Sequence, residues 1–276
     1  MVRSIGLAGQ NVPVIGQGTW FMGEERSQRS AEVAALREGI ECGLTLIDTA
    51  EMYAEGGSEE VVGEALQGYR DQVFLVSKVY PHNAGRHGLS KACERSLARL
   101  KTDYLDLYLL HWRGQFSLDE TVDAMESLVK QGKIKAWGVS NLDIDDMKEL
   151  SFTSNCQTDQ VLYNLSERGV EFDLLPWLRQ HQMPMMAYCP LGQASRRILA
   201  HPVLLELAHA RGVTPAQLAL AWTVRDEGVI AIPKATQLAH VRQNAEALNI
   251  VLTAEERAAL DRAFPAPTHA EPLNMV

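Results

Sequence analysis

Eight short runs rich in β-branched and aliphatic residues recur along the chain, each followed by a segment of helical spacing. They are Val14 to Thr19, Leu44 to Asp48, Val73 to Val79, Tyr104 to His111, Ile134 to Asn141, Gln160 to Asn164, Met183 to Leu191 and Val229 to Lys234. Between them apolar residues return at helical intervals, as Val33, Leu36 and Ile40 do, and Ser117/Glu120 and Thr214/Gln217 carry capping-box spacing, with Pro215 at a first helical position. Eight strand–helix alternations predict an α/β fold closed as a parallel (β/α)8 TIM barrel, a unit that takes about 250 residues. The 276 residues of the chain match one such domain, spanning 1–276.

Two pieces fall outside the repeat. Ser4 to Val12, with Ala8-Gly9-Gln10-Asn11 as turn chemistry, predicts a β-hairpin on the barrel floor. A late accessory helix opens at Thr253 with Glu256 three residues on, followed by a tail from Pro265 to Val276. That tail is short, as is the connection from Trp112 through Arg113-Gly114-Gln115-Phe116 to Ser117, so a shallow site is expected.

Composition narrows the partners. A net charge of -9 argues against general attraction to nucleic acid or anionic membrane. Cys42, Cys93, Cys156 and Cys189 are scattered and form no metal or disulfide framework. The histidines show neither H-x-H nor H-E-x-x-H, so no metal site is expected. The opening residues lack the apolar core of a signal peptide, and no run reaches membrane-spanning length, so the expectation is a cytoplasmic protein.

Three of the runs end on a polar residue: Asp48, Lys78 and His111, with Tyr53 just beyond the first. A barrel gathers the C-terminal ends of its strands on one rim, which lets residues far apart in the chain converge. A phenol gives a proton, a lysine lowers its pKa, a carboxylate holds the lysine, and a neutral imidazole bonds a carbonyl oxygen. Taken singly, each has a plainer reading: a surface tyrosine, a structural ion pair at a strand end, a satisfied core histidine. Gly16-Gln17-Gly18-Thr19-Trp20-Phe21 begins like G-x-G-x-x-G but places Phe21 at the third glycine, so a nicotinamide cofactor would have to bind by other means. Ser140, Asn141 and Gln160 can bond a carboxamide, Tyr188 offers a stacking face and Lys234 a charge for phosphate.

Read in order, Leu46-Ile47-Asp48-Thr49-Ala50-Glu51-Met52-Tyr53, Val76-Ser77-Lys78, Asp106-Leu107-Tyr108-Leu109-Leu110-His111-Trp112, Gly138-Val139-Ser140-Asn141 and Ile232-Pro233-Lys234 resemble the motifs of the aldo-keto reductase superfamily. With its short connection after His111, the chain is most similar to the bacterial methylglyoxal reductase-type members. The resemblance implies a catalytic tetrad of Asp48, Tyr53, Lys78 and His111, with Tyr53 the proton donor in NADPH-dependent reduction of small aldehydes and ketones, methylglyoxal-like or aromatic. It implies that NADPH lies extended across the rim, with NADH a weaker alternative. Ser140, Asn141 and Gln160 would meet the carboxamide and Tyr188 the ring; Lys234, Ala235, Thr236, His240, Gln243 and Asn244 would meet the adenosine end. Gly18, Thr19, Trp20, Asp48, Pro190, Leu191 and Gln193 are the other implied cofactor contacts. Trp20, Tyr53, Tyr80, His111 and Trp112 are implied to line the substrate pocket. Cys189, Ala235 and His240 depart from residues common in relatives. A small carbonyl substrate and a monomer are expected. The competing readings are an NADPH-binding redox-sensing subunit with little turnover, and Schiff-base chemistry at Lys78.

Overall fold

The apolar runs form the wall of a parallel barrel. In a computed structural model, which describes residues 3–150 and 155–276, the strands are β1 (Ser4–Leu7), β2 (Gln10–Pro13), β3 (Gln17–Gly18), β4 (Leu46–Asp48), β5 (Phe74–Val79), β6 (Leu105–Leu110), β7 (Ile134–Ser140), β8 (Cys156–Leu162), β9 (Met185–Tyr188) and β10 (Val229–Ala231). Of the expected 1–276 domain, Met1, Val2 and residues 151–154 lie outside the described residues. Strands β3 to β10 pair in chain order, every pair parallel, with helices in the connections. The seam between β10 and β3 is closed by backbone hydrogen bonds from Gly16 N–H to the Ala231 carbonyl at 2.8 Å and from Gly18 N–H to the Pro233 carbonyl at 3.0 Å. Gly18 is required there, since a Cβ would stand 2.6 Å from the Ile232 carbonyl oxygen.

Alternation sorts the side chains by face. Leu46, Phe74, Val76, Leu107, Leu109, Met186, Ile230 and Ile232 pack together inside the barrel, and Leu7 and Val12 of the hairpin join them as a stopper. Ile47, Leu75, Tyr108 and Trp137 belong to the layer shared with the helices. Thr253 and Glu256 form the expected reciprocal cap on the helix Ala254–Ala263. Arg168, bonded to Asp261 at 2.8 Å and to the Phe264 carbonyl, ties that helix to the barrel. Among the described residues no helix is long and apolar enough to cross a membrane.

Several boundaries differ from expectation, the runs from Met183 and Val229 pairing only over Met185–Tyr188 and Val229–Ala231. The hairpin turn is Ala8-Gly9 alone, with φ of 49° and 75°, and Gln10 and Asn11 pair in the strand. Their polarity had marked them as turn, yet they are the first, exposed strand residues after a two-residue turn. The run placed at Gln160 to Asn164 is the end of a strand that starts at Cys156, its first half hidden by Gln157, Thr158 and Asp159. Asn164 lies past its end, where its side-chain oxygen accepts from the Ser166 and Glu167 amides and turns the chain. The first run pairs over Gln17 and Gly18 only, with a single bridge from Ile15 to Ala231.

Asp106 holds the floor. Its buried carboxylate accepts from Arg70 at 2.9 Å, Lys135 at 2.8 Å, the Leu75 amide at 3.0 Å and Gln10 of the hairpin at 3.3 Å. Burial pushes this acid upward, but the bonds from Lys135, Leu75 and Arg70 outweigh it and hold it below the usual carboxylate range. The pair energy is therefore present at neutral pH and is lost as pH falls through the depressed folded value. Asp106→Ala should cost about 2–4 kcal/mol, the scale of stranding buried partners, read as a lower urea midpoint. The gap between wild type and Asp106→Asn should close as the pH of the melt is lowered below 4 or so; a gap independent of pH would contradict the charge-based account.

Candidate functional site

The register of adjacent strands decides which side chains meet at the C-terminal rim. Asp48 pairs with Val76, which places Lys78, one inward position further along β5, beside it. Lys78 is completely buried, and its ammonium donates to Asp48 Oδ2 at 2.7 Å, to the Thr49 carbonyl at 3.0 Å and to the Tyr53 hydroxyl at 3.1 Å. Asp48 is satisfied on its other oxygen by Gln160 Nε2 at 2.8 Å, reaching across from β8. Burial pushes Asp48 up and Lys78 down, and each is opposed by its partner's charge. With every proton of the ammonium engaged and no solvent contact, Lys78 is not placed as a free nucleophile for a Schiff base.

Tyr53 was read as a loop residue whose ring need not be buried, yet only 9% of it is exposed. The loop after β4 turns it inward through a short helical turn in which Ala54 and Glu55 take left-handed φ of 50° and 51°. Hydroxyl bonds anchor that loop: Ser58 to Thr19 at 2.7 Å and Thr49 to Ser58 at 3.1 Å. Glu51 pins it from outside, accepting from the Tyr80 amide at 2.8 Å and Asn83 at 3.0 Å. Burial first, and then the nearby Asp48 charge, push the phenol well above its ordinary value. This corrects the expectation of a lowered pKa: removal from water dominates although the Lys78 ammonium reaches the hydroxyl, and the phenol keeps its proton at neutral pH.

His111 follows β6 and its amide donates to the Val79 carbonyl at 3.1 Å. Its ring meets Tyr53 edge-on, 5.8 Å between centroids. Burial and the Lys78 charge hold the imidazole well below its usual pKa, so it is neutral. Among the described residues its Nδ1 is buried without a hydrogen-bond partner.

These groups open on a cavity of about 650 Å³. Gly18, Thr19, Trp20, Asp48, Tyr53, His111, Trp112, Ser140, Asn141, Gln160, Tyr188, Pro190, Leu191, Gln193 and Lys234, all singled out from sequence, line it. Ser140 Oγ donates to the Gln160 carbonyl at 2.8 Å. Asn141, at a φ of 58°, donates to the His111 carbonyl at 3.1 Å and accepts from the Tyr188 hydroxyl at 2.9 Å. Cys189 also lines the cavity, its thiol pushed up to about 11 by burial.

Other expected residues stand elsewhere. Tyr80 does not line the cavity; it packs edge-on behind Trp112, 6.0 Å between centroids. Ala235, Thr236, His240, Gln243 and Asn244 lie past the cavity, on and before the helix Leu238–Glu246, where His240 is exposed and Asn244 buried. Arg113, in the connection after Trp112, bonds Asp146 and grips Glu149 at 2.6 and 2.8 Å. The tail was expected to be too short to build a deep enclosure, but Met275 and Val276 line the cavity. Twelve or so extended residues span roughly 40 Å, enough to cross the rim. Phe21, stacked on Trp20 at 4.5 Å, and Met52 are also lining residues passed over in the sequence. Both sat beside residues already marked, whereas the tail carried no local signal.

Comparison with known proteins agrees with this geometry. The model of the Aldo/keto reductase family matches residues 14–264. Methylglyoxal reductase YeaE of Escherichia coli is 60% identical over 272 residues, covering 96% of each chain. Glyoxal reductase of Bacillus subtilis is 31% identical over 256 residues, covering 92% of this chain and 89% of its own. The crystal structure of an aldo/keto reductase from Klebsiella pneumoniae in complex with NADP and acetate superposes with a TM-score of 0.98 at 57% identity, each chain covered completely. The chain with its closed eight-stranded barrel belongs to the aldo/keto reductase family.

Proposed function

We propose that this protein reduces small aldehydes and ketones, methylglyoxal-like or aromatic, using NADPH and the group Asp48, Tyr53, Lys78 and His111. The observation that carries the reading is the buried chain Asp48–Lys78–Tyr53, with contacts of 2.7 and 3.1 Å, ending in a cavity beside a neutral His111. The cavity suits the cofactor: Asn141, Ser140, Gln160 and Tyr188 present amide, hydroxyl and aromatic groups on its lining. When bound, NADPH supplies the hydride that goes to the carbonyl carbon. Tyr53 gives its proton to the carbonyl oxygen, and the Lys78 ammonium at its hydroxyl stabilises the phenolate left behind. Asp48 and the Thr49 carbonyl keep that ammonium aimed at the hydroxyl. The imidazole of His111, neutral and on the cavity wall beside Tyr53, bonds the carbonyl oxygen and orients it. The redox-sensing alternative gains nothing from the comparisons, whose named relatives include reductases of methylglyoxal and glyoxal.

Tyr53→Phe deletes the proton donor and keeps the ring. Cofactor fluorescence titration should then be close to wild type while kcat falls by about 10² or more, the scale of general acid catalysis. Near-normal single-turnover reduction would remove Tyr53 from that role.

Substrate size follows from the mouth. Trp20, Phe21, Trp112, Met275 and Val276 make it apolar, and Arg113, just after Trp112, is committed to Asp146 and Glu149. Small, activated, uncharged carbonyls should therefore lead a kcat/KM series, with steroids and long-chain ketones at its bottom. A steroid ranking first would sink this reading.

Lys234 lines the far end of the cavity and is exposed, a point charge suited to the 2'-phosphate of NADPH. His240, exposed on the next helix, offers a ring N–H in place of the bidentate fork of a guanidinium. His240→Arg should tighten NADPH by about 1 kcal/mol, one added charge-assisted hydrogen bond, and leave NADH unchanged. Paired dissociation constants decide it: equal wild-type affinity for the two cofactors refutes the role of Lys234, and an unchanged NADPH constant in the variant places His240 away from the phosphate.

A further inference from the structure

Asn164 stands just past the end of β8 and is only 1% exposed. Its side-chain oxygen serves the local turn, accepting from the Ser166 amide at 2.9 Å and the Glu167 amide at 3.0 Å. The nitrogen end of the same side chain serves a different part of the chain. Nδ2 donates at 3.0 Å to the carbonyl of Cys189, the residue that follows β9.

Cys189 takes a left-handed φ of 47°, which a residue other than glycine keeps only where its surroundings over-determine it. Its carbonyl accepts from two donors, the Gly192 amide at 2.8 Å and Asn164 Nδ2. The Gly192 bond lies within the loop and shapes it, whereas the Asn164 bond comes from the neighbouring strand end and places it. Immediately before Cys189 is Tyr188, which lines the cavity and whose hydroxyl donates to Asn141 at 2.9 Å. The register of β8 with β9 ends at Leu162 opposite Tyr188, and the next backbone contact, from the Tyr163 amide to the Tyr188 carbonyl, is stretched to 3.4 Å. Tyr188 is thus held at its hydroxyl tip by Asn141, while the peptide that follows it is held by Asn164.

We propose that Asn164 is a positioning residue: by holding the Cys189 carbonyl it sets the plane of the Tyr188 ring on which the nicotinamide of NADPH stacks. The inference rests on the proposed role of Tyr188 as a cofactor contact. Because the effect is exerted at the nicotinamide, which NADPH and NADH share, both cofactors feel it alike, in contrast to a change at Lys234.

The test uses Asn164→Ser, Tyr188→Leu and the double variant, with dissociation constants for NADPH and NADH and the KM for a small aldehyde at saturating NADPH. Serine keeps a hydroxyl acceptor for the turn amides and is too short to reach Cys189. Asn164→Ser should weaken NADPH and NADH by the same factor of about ten, the scale of one lost hydrogen bond, mostly through faster dissociation, with the aldehyde KM within about twofold of wild type. In the Tyr188→Leu background the same substitution should change NADPH affinity by less than about twofold, since the ring it places is gone. Full effects that multiply in the double variant, or a weakening confined to NADPH, overturn the positioning role. Unaltered NADPH binding by Asn164→Ser beside a weakened Tyr188→Leu overturns that role alone, whereas full affinity in Tyr188→Leu removes the stacking reading itself. If Asn164→Ser does not fold, Asn164→Asp is read by the same criteria, since it keeps the shape and the turn acceptor and lacks the donor to Cys189.

Discussion

Burying the ammonium of Lys78 is the demand that the rest of the rim answers. A charge with no solvent contact requires an opposite charge at hydrogen-bond distance and acceptors for its remaining protons, or it destabilises the fold by several kcal/mol. Asp48 supplies the charge, the Thr49 carbonyl one acceptor and the Tyr53 hydroxyl the other. Each of these sits on β4 or in the loop after it, so the pairing of β4 with β5 has to be in register to the residue. The same condition holds Tyr53 in place. A tyrosine on a surface loop would wander, whereas this one is drawn inward as the last ligand of a buried cation.

Asn141 joins the two ends of the cavity. It bonds the backbone of His111 on one side and the Tyr188 hydroxyl on the other, and Ser140 beside it bonds the backbone of Gln160, whose side chain returns to Asp48. The groups read as touching cofactor and those read as touching substrate are therefore one hydrogen-bonded unit drawn from β4, β6, β7, β8 and β9. A displacement of any one strand end is felt at both ends of the cavity, which gives rigidity where chemistry needs a fixed distance.

Strand ends were legible in the sequence because periodicity writes them locally: an apolar run that stops on Asp48, Lys78 or Ser140 announces both the strand and its rim residue. The first half of β8 was not, since Gln157, Thr158 and Asp159 look like loop and only their tertiary setting makes them strand. Tyr80 was placed in the pocket by resemblance and lies one shell back, a difference of side-chain direction that spacing does not encode. The upward shift of Tyr53 escaped as well. It depends on how much water the loop excludes, a property of the closed cavity and of no single residue. Arg113 shows the converse: its charge was legible, but its partners Asp146 and Glu149 lie more than thirty positions on.

The two ends of the barrel are held by separate means. At the floor, Asp106 gathers Arg70, Lys135, the Leu75 amide and the hairpin, while Leu7 and Val12 plug the lumen. At the mouth, Phe21, Met275 and Val276 are about half exposed or more and contribute little buried area. Anchorage and recognition thus draw on different residues, so a lineage of such chains is free to exchange its mouth residues for new carbonyl partners without loosening the barrel beneath. Adaptability here is a matter of geography: the surface that would recognise a substrate stands at the opposite end of the strands from the surface that keeps the chain folded.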